Sequence, residues 1–221
     1  MNWLKREWLQ LTVLAAPFCA AALLWDRVPD RIPIHWNLYW QLDAYAGKLV
    51  GTLLLPAMNV GLFLLGLVLP PLDPRLRAYD GETRDGTLRA LRAFLLAGTS
   101  FLCCFQLAIL ASALGMAVNI FLVVQVGAAL VFLVGGNLLT KLRPNHLIGI
   151  RVRWTMNSRE VWMKTHRFAG RLLVAAAIVL IIHAFVVPPK FYFLSIFIPF
   201  LLLVVIVPVV YAYRLSKHCP L

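Results

Sequence analysis

Two side chains in the polar segment 26–48 could do chemistry, namely His35 and Asp43. An imidazole and a carboxylate close in sequence can bind a metal ion or pass a proton, although zinc sites have roughly three or four ligands. The other interpretation is structural, with His35 hydrogen bonded to Asp43 or to the loop backbone. The pair therefore leaves open both a metal-dependent membrane hydrolase and a loop that is held in shape by this contact.

A second set of polar side chains lies within otherwise apolar segments and comprises Gln106, Asn119, Gln125 and His183. In lipid, such groups bond to neighbouring helices, and each contact is worth about 0.6 kcal/mol. They predict either interhelical hydrogen bonds or a polar cavity beneath the His35 loop that opens to the outside. Such a cavity could receive a peptide or a lipid headgroup.

The most basic part of the chain runs from residue 136 to residue 170, between two long apolar segments. Only Glu160 opposes its cations, which are Lys141, Arg143, Arg151, Arg153, Arg159, Lys164, Arg167 and, just beyond its end, Arg171. Asn157 stands at N-cap spacing before Glu160, which predicts a helix from about Ser158. That helix would run into the next apolar segment and bend near Gly170. The stretch is either an amphipathic helix on the membrane surface or a specific binding site.

The composition excludes a soluble enzyme. The chain has 221 residues, of which 62% are hydrophobic and 14% are charged, and its net charge is +12. Soluble domains carry about 25% charged residues, so a polytopic membrane protein is predicted. Basic cytoplasmic loops account for the positive charge, and no direct nucleic-acid partner is predicted. The cysteines show neither a disulfide pattern nor metal-ligand spacing; they are Cys19, Cys103, Cys104 and Cys219.

Segments without charged residues predict six transmembrane helices, at residues 8–25, 49–72, 172–189 and 191–213, with two more inside 93–140. The segment 93–140 would form a straight helix of about 72 Å, which exceeds a hydrocarbon core of ~30 Å. It must therefore fold back, and residues 115–119 are the predicted turn. The first segment is interpreted as a retained span, because it is longer than a cleaved signal core.

The orientation follows from the positive-inside rule. With both termini in the cytoplasm, cytoplasmic segments hold 17 of the 21 Lys and Arg residues. The fold class is therefore predicted to be all-α, a polytopic membrane helical bundle with six transmembrane helices and both termini cytoplasmic. The predicted domains are residues 1–72 with the extracytoplasmic loop 26–48, a cytoplasmic loop 73–92, and a four-span region 93–221 with the basic cytoplasmic loop 141–171. Residues 80–86 are interpreted as a solvated turn.

The basic stretch resembles the signature of the SdpI family of bacterial membrane proteins. The residues that carry the resemblance are Gly136, Asn137, Lys141, Arg143, Pro144, Asn145, Gly149, Ile150, Arg151, Trp154, Thr155, Trp162, Thr165, His166, Arg167 and Gly170. Arg153 stands where Pro is expected, so the local turn can differ. The resemblance implies a functional cytoplasmic motif of Asn137, Arg143, Asn145, Gly149, Arg151, Trp154, Trp162, Thr165, His166 and Arg167.

The polar segment 26–48 resembles the module that usually precedes this signature, with the pattern P-x-H-[FW]-N-x-x-G-x-x-D. The matching residues are Pro33, His35, Trp36, Asn37 and Asp43. Trp40 occupies the Gly position, and because Gly usually serves a conformation that other residues avoid, the turn there is open. With His183 added from the span residues, the predicted ligand-binding set on the outer face is His35, Trp36, Asn37, Asp43 and His183.

The resemblance implies a protein of the bacterial cytoplasmic (inner) membrane that gives immunity to an extracellular toxin peptide or signals its presence. Founding members protect a cell from a secreted killing peptide and can hold a repressor at the membrane. The implied partners are the lipid bilayer, an extracellular toxin peptide, a cytoplasmic repressor and anionic lipid headgroups, with no cofactor.

Two alternatives remain open beside this interpretation. One is a passive transporter or lipid-binding protein that uses the same outer cavity, which a continuous pore would favour. The other is the hydrolase built on His35 and Asp43, which a third or fourth converging ligand would favour. A dead-end outer cavity with an exposed basic inner face would favour immunity or signalling.

Overall fold

A computed structural model describes the backbone of residues 3–217 and the side chains of residues 7–217. Within this part of the chain, six helices are long and apolar enough to cross a membrane. The helices are α1 (Trp3–Leu24), α2 (Lys48–Leu72), α3 (Pro74–Ala78), α4 (Gly81–Ala113), α5 (Ile120–Leu139), α6 (Arg153–Asn157), α7 (Arg159–Val186) and α8 (Phe193–Ser216), of which α3 and α6 are short. The predicted six-span helical membrane protein is confirmed. The side chains of Lys5 and Arg6, and Cys219 in the C-terminal tail, lie outside the described residues.

One end of the bundle holds most of the basic residues, in two connections and in the adjoining turns of the helices, and the other end carries a strand hairpin. Following the predicted orientation, we call the hairpin end the outer face and the basic end the inner face. Residues 114–119 connect α4 to α5 at the outer face, where Gly115 has a φ of +87°. The predicted turn at residues 115–119 is therefore present.

The bundle exposes large apolar side chains and buries small or polar ones, as expected for a protein surrounded by lipid. Leu23 is 85% exposed and Leu194 is 76% exposed, whereas Asn59 and Thr99 are buried. The Gln10 amide donates to the Thr99 hydroxyl at 2.7 Å, and the Asn59 amide donates to the Thr99 carbonyl at 3.0 Å. Helices α1, α2 and α4 are therefore joined by side-chain amides inside the bundle.

Helices α5 and α7 cross at two glycines. A Cβ added at Gly136 would lie only 2.7 Å from the carbonyl oxygen of Gly170. Two backbones can come this close only where neither residue has a side chain. Helix α7 is one uninterrupted helix through Gly170, so this glycine allows the close crossing at a position where the sequence predicts a bend.

The outer connection between α1 and α2 is an antiparallel hairpin of β1 (Arg31–Trp36) and β2 (Leu42–Gly47), which is not predicted from the sequence. Ile32 attaches it to the bundle, because this side chain is fully buried and a Cβ at Gly51 of α2 would lie 2.6 Å from it. At the turn, Asn37 Oδ1 accepts hydrogen bonds from the amides of Tyr39 and Gln41. The hairpin is therefore a fixed platform on the helices.

Residues 81–86 are helical, so the interpretation of residues 80–86 as a solvated turn is wrong. Asp80 is the N-cap of α4, and its carboxylate accepts from the Thr83 amide at 2.7 Å. Gly and Asp favour turns locally, but Asp also caps helices, and here α4 extends well beyond the apolar segment. The 73–92 loop consequently consists of α3 and the first turns of α4.

The predicted orientation can be measured by labelling single cysteines in a variant without the native ones. Leu38 is 59% exposed at the hairpin turn, and Glu82 is exposed at the start of α4. We expect a membrane-impermeant maleimide to label Leu38→Cys in intact cells and Glu82→Cys only after permeabilisation. If only Glu82→Cys is labelled in intact cells, the protein has the opposite orientation to the predicted one.

Candidate functional site

The basic loop, residues 140–158 between α5 and α7, is folded around a buried asparagine. Asn145 is fully buried, and its amide nitrogen donates to the Arg143 carbonyl at 2.8 Å. Its Oδ1 accepts from the amides of Leu147 and Ile148, both at 2.9 Å. One side chain thus satisfies three backbone groups that the loop would otherwise leave without partners.

Trp162 and His166, one turn apart on α7, hold the other side of the basic loop. Their rings stack with centroids 3.9 Å apart, and both side chains are buried. The Trp162 indole donates to the Leu142 carbonyl at 2.9 Å, and His166 Nε2 accepts from the Ile150 amide at 3.0 Å. His166 Nδ1 lies 2.8 Å from the Trp162 carbonyl. Since Nε2 faces a donor and Nδ1 an acceptor, the imidazole is neutral with its proton on Nδ1.

Gly149 lets the loop pass over these rings. Its φ is +123°, and a Cβ there would clash with His166 Nε2 and lie 3.1 Å from the Trp162 ring. Thr155 fixes the next turn, because its buried hydroxyl donates to the Ile150 carbonyl at 2.6 Å and accepts from the Val152 amide at 3.1 Å.

Arg153, the departure from the signature, is the first residue of α6 after the N-cap Val152. Proline is favoured at this first helical position, because its missing N–H would have no partner there and its φ is preset for the helix. Here Arg153 occupies this first helical position, and the short helix α6 forms without a proline there. The departure therefore changes the surface charge and leaves the turn intact.

Asp73, between α2 and α3, joins the basic loop to the N-terminal half of the protein. Its buried carboxylate accepts from the His146 amide at 2.7 Å, and His146 Nδ1 lies 3.2 Å away. Burial alone would raise the pKa of Asp73, but the hydrogen bonds from His146, Arg75 and Leu76 outweigh it and lower the pKa below its usual value. The tertiary contacts of Asp73 are not predicted from the sequence, although Asp followed by Pro after an apolar run is a helix-start signal.

Two further side chains make the same connection. The Arg75 guanidinium donates to the Met156 carbonyl at 2.9 Å, and the Tyr79 hydroxyl donates to the Pro144 carbonyl at 2.9 Å. The basic loop is therefore bonded to both the segment before α4 and helix α7.

The predicted cytoplasmic motif divides into a buried group and a peripheral group. Asn145, Gly149, Trp162, Thr165 and His166 lie inside the basic loop or on the face of α7 that it covers. The Thr165 hydroxyl has no hydrogen-bond partner among the described residues. The peripheral members are the half-buried Arg143 and Trp154 and the exposed Asn137, Arg151 and Arg167.

The exposed cations form a basic surface at the inner face, which we define as Lys141, Arg151, Arg153, Arg159, Arg167 and Arg171. Lys164 is paired with Glu160 at 2.6 Å. Arg151 also donates to the His146 carbonyl. The buried motif residues thus fix the loop backbone that presents Lys141, Arg151 and Arg153, while α7 presents the other three cations.

At the outer face, His35 Nδ1 lies 2.5 Å from Asp43 Oδ1, so the predicted hydrogen bond between them is present. The two side chains are 64% and 42% exposed on the hairpin. No third His, Cys, Asp or Glu joins them among the residues that the structure describes. This geometry does not supply the additional ligand that the hydrolase hypothesis needs.

A cleft of about 460 Å³ lies between the hairpin turn and the two other outer connections. We call it the outer cleft; it is lined by Trp36, Tyr39, Trp40, Ser112, Val118, Asn119, Ile120, Phe121, Pro188, Pro189 and Lys190. Trp40 has a φ of +62°, so it keeps the conformation that suits the glycine it replaces. Its ring meets Phe121 at 5.0 Å and Tyr192 at 5.8 Å between centroids, both edge to face.

The polar residues within the spans make interhelical and capping contacts. The Gln106 amide donates to the Gly51 and Thr52 carbonyls at 3.2 and 3.1 Å. His183 lies 3.4 Å from the Gln125 amide and 2.9 Å from the Ser195 hydroxyl. Asn119 caps α5 and lines the outer cleft.

The structure therefore separates the predicted outer set. Trp36 lines the outer cleft, Asn37 holds its rim, and His35 and Asp43 form a pair on the hairpin. His183 is buried between helices and is not among the cleft residues.

The carboxylate of Asp73 should stabilise the basic loop in a pH-dependent way. A lowered folded pKa means that its contribution is complete above the ordinary value of 3.8 and is lost as the pH falls through the lower folded value. We expect Asp73→Asn to cost on the order of 1–3 kcal/mol and to speed tryptic cleavage in the basic loop at neutral pH. Asp80→Asn is the matched control, because Asp80 caps a helix in the same way without touching the loop. Equal cleavage of both variants would contradict this role.

Gly149→Ala should destabilise the protein, because the added methyl group meets the His166 ring and the backbone is left-handed there. The expected loss is about 1–3 kcal/mol, seen as a lower thermal unfolding midpoint in detergent. Gly81→Ala is the control, since a Cβ at Gly81 has no atom within 4 Å. If the unfolding midpoint stays at the wild-type value, the loop accommodates the methyl group without a loss of stability, which would contradict this role of Gly149.

Comparison with known proteins agrees with this arrangement. Residues 141–212 match the SdpI/YfhL protein family, and residues 12–60 match a domain of unknown function (DUF1648). The chain is 25% identical over 217 residues to the immunity protein SdpI of Bacillus subtilis (strain 168), covering 97% of each chain. No solved structure shows significant similarity. The chain therefore carries an SdpI/YfhL match over residues 141–212 and is similar to an SdpI protein over nearly its whole length, in agreement with a multi-pass protein of the bacterial cytoplasmic membrane.

Proposed function

We propose that this protein gives immunity to an extracellular toxin peptide, which it binds in the outer cleft, and that it signals the bound state across the membrane. The resemblance to an immunity protein over nearly the whole chain supports the first part. The observation that carries the site is the outer cleft itself, which is the concave surface built jointly by all three outer connections.

The lining of the outer cleft suits a peptide. Aromatic rings and prolines offer flat apolar surfaces at low cost in side-chain entropy, while Asn119 and Lys190 supply polar contacts. The exposed His35–Asp43 pair stands on the same hairpin and can hydrogen bond to polar groups of a peptide that extends past the cleft.

Trp40 gives the outer cleft a rigid wall. A left-handed backbone at a tryptophan costs on the order of 1 kcal/mol or more and persists only where packing holds it. Here the ring is held by edge contacts with Phe121 and Tyr192. A peptide that contacts Trp40 therefore acts on the outer ends of α5 and α8 at once.

Helix α8 offers a direct route to the inner face. Its outer end adjoins Tyr192, which contacts Trp40. Near its inner end, Tyr213 meets Trp154 of the basic loop with centroids 5.3 Å apart, and Tyr211 meets Phe168 at 4.5 Å. Two segments of α8, Phe193–Phe197 and Leu202–Ile206, are π-helical, a form that often marks functional positions in helices.

The basic surface is the proposed contact for a cytoplasmic repressor, and anionic lipid headgroups would compete for the same charges. Because the loop backbone is fixed from inside, a displacement of Trp154 by α8 would move the loop cations Lys141, Arg151 and Arg153 relative to those on α7. The signal would thus be a change in the relative positions of the cations in the basic surface.

The transporter hypothesis would need a route through the bundle below the outer cleft. Gln125 and His183 occupy that level, and the His183 ring lies within hydrogen-bond distance of both the Gln125 amide and the Ser195 hydroxyl. Such contacts lock helices together, which favours a receptor over a conduit.

Survival of a sensitive host tests the proposal. Cells are challenged with supernatant from a strain that secretes the killing peptide, with and without expression of this chain. We expect expression to raise survival at least about tenfold and Arg151→Ala to leave that protection intact, because Arg151 lies on the opposite face. Equal survival with and without the chain would overturn the immunity function.

The Trp40→Gly variant tests the outer cleft within the same assay. Glycine accepts the positive φ, so the turn is retained while the aromatic wall is removed. We expect protection to fall toward that of cells without the chain. Tyr45→Ala is the control, because Tyr45 is an exposed aromatic on the same hairpin that does not line the cleft. Equal protection by both variants would place the site elsewhere.

A further inference from the structure

A groove runs between the inner halves of α2 and α4, away from the outer cleft and the basic surface. The part of the groove nearest the inner face is a cavity of about 670 Å³. A second cavity of about 290 Å³ continues it toward the middle of the membrane and shares Gly66, Pro70, Leu91 and Arg92 with the first. We call the two together the α2–α4 groove.

Cations are concentrated at the inner end of the α2–α4 groove. Arg77, Arg84 and Arg92 line the part nearest the inner face, and Asp85 lines it beside them. Arg92 Nε lies 3.8 Å from the carboxylate of Glu7. Arg77 and Arg84 are exposed, and neither forms an ion pair with a described carboxylate. Their guanidinium groups remain available to an anion.

The deeper part of the α2–α4 groove is apolar. Leu62, Leu65 and Leu69 of α2 face Leu95 and Gly98 of α4 there. A Cβ at Gly98 would have no atom within 4 Å, so the missing side chain leaves the trough open at this point. Arg92 is the last charged residue before the uncharged segment 93–140, so it marks the boundary of the hydrocarbon.

We propose that the α2–α4 groove binds one anionic phospholipid, with its phosphate and headgroup at Arg77, Arg84 and Arg92 and an acyl chain in the trough. Guanidinium groups form strong charge-assisted hydrogen bonds to phosphate oxygens. A trough that runs from Arg92 to Gly98 follows the helix for about 9 Å, which accommodates the upper part of an acyl chain. A free anion would leave this apolar surface uncovered.

The bound lipid would also support the basic loop. Leu147 and Ile148 line the trough, and their amides are the two that Asn145 holds. An acyl chain in the groove therefore packs against the turn that shapes the loop. This consequence does not depend on the proposed toxin site, because the groove and the outer cleft share no residue.

Native mass spectrometry of the purified full-length protein in detergent tests the proposal, with titration of dioleoyl phosphatidylglycerol and dioleoyl phosphatidylcholine. We expect one phosphatidylglycerol to be retained and phosphatidylcholine to be released. Each arginine near a phosphate changes affinity by about fivefold, so Arg77→Gln with Arg84→Gln should weaken phosphatidylglycerol binding by on the order of tenfold or more.

Two controls separate the α2–α4 groove from general attraction to a basic protein. Arg214→Gln with Lys217→Gln removes two exposed cations at the inner end of α8 that lie outside both the groove and the basic surface, and it should leave phosphatidylglycerol binding unchanged. Equal loss in both double variants, or equal retention of the two lipids, would overturn the proposal.

The acyl chain is tested by filling the trough. Gly98→Leu should reduce phosphatidylglycerol binding severalfold, whereas Gly61→Leu should not, although a Cβ at Gly61 also has no atom within 4 Å. If Gly98→Leu binds normally and inorganic phosphate displaces the lipid, the site holds a headgroup anion only and the proposal fails. Only variants whose thermal unfolding midpoint equals that of the wild type are compared. A loss of lipid binding in such a variant is therefore not caused by unfolding.

Discussion

The structure depends on one constraint, which is that backbone groups leaving a transmembrane helix at the membrane surface still need hydrogen-bond partners. The basic loop meets this constraint with a few buried side chains. Asn145 satisfies three backbone groups, Thr155 closes the next turn, and His166 accepts from Ile150. Asp73 adds a buried carboxylate from another part of the chain. Loss of any one of these would leave a buried polar group unpaired, so the loop has one well-defined shape.

The residues of the family signature mainly supply these hydrogen bonds to the loop backbone. Most of its side chains that looked chemically active, above all His166 and Trp162, have their polar atoms occupied by the loop backbone. Their polar atoms are thus engaged inside the protein, where they determine the path of the loop that carries Lys141, Arg151 and Arg153. A signature of this kind identifies an architecture, whereas the choice of ligand depends on the surfaces that the architecture presents.

The six spans could be predicted from the sequence because the absence of charge over a long segment leaves few alternatives in a membrane. The start of α7 was also predictable to within a residue, although Ser158 and not Asn157 accepts the hydrogen bond from Val161. The hairpin was not, because β1 contains Pro33 and its turn places Trp40 where a hairpin signal would have glycine. The contact between Asp73 and His146 joins residues far apart in sequence, and nothing near either one indicates it.

The substitution of tryptophan for glycine at position 40 brings these points together. Glycine would give the turn its left-handed backbone without strain, and it would leave Phe121 and Tyr192 in contact with each other but without the indole ring against them. Tryptophan adopts the same backbone at a cost, which the aromatic contacts must offset. The exchange therefore adds a wall to the outer cleft and a contact to the end of α8 in one step. The ring at position 40 thus ties the hairpin to the outer ends of α5 and α8, and under the proposed function it is also the wall that a peptide would contact.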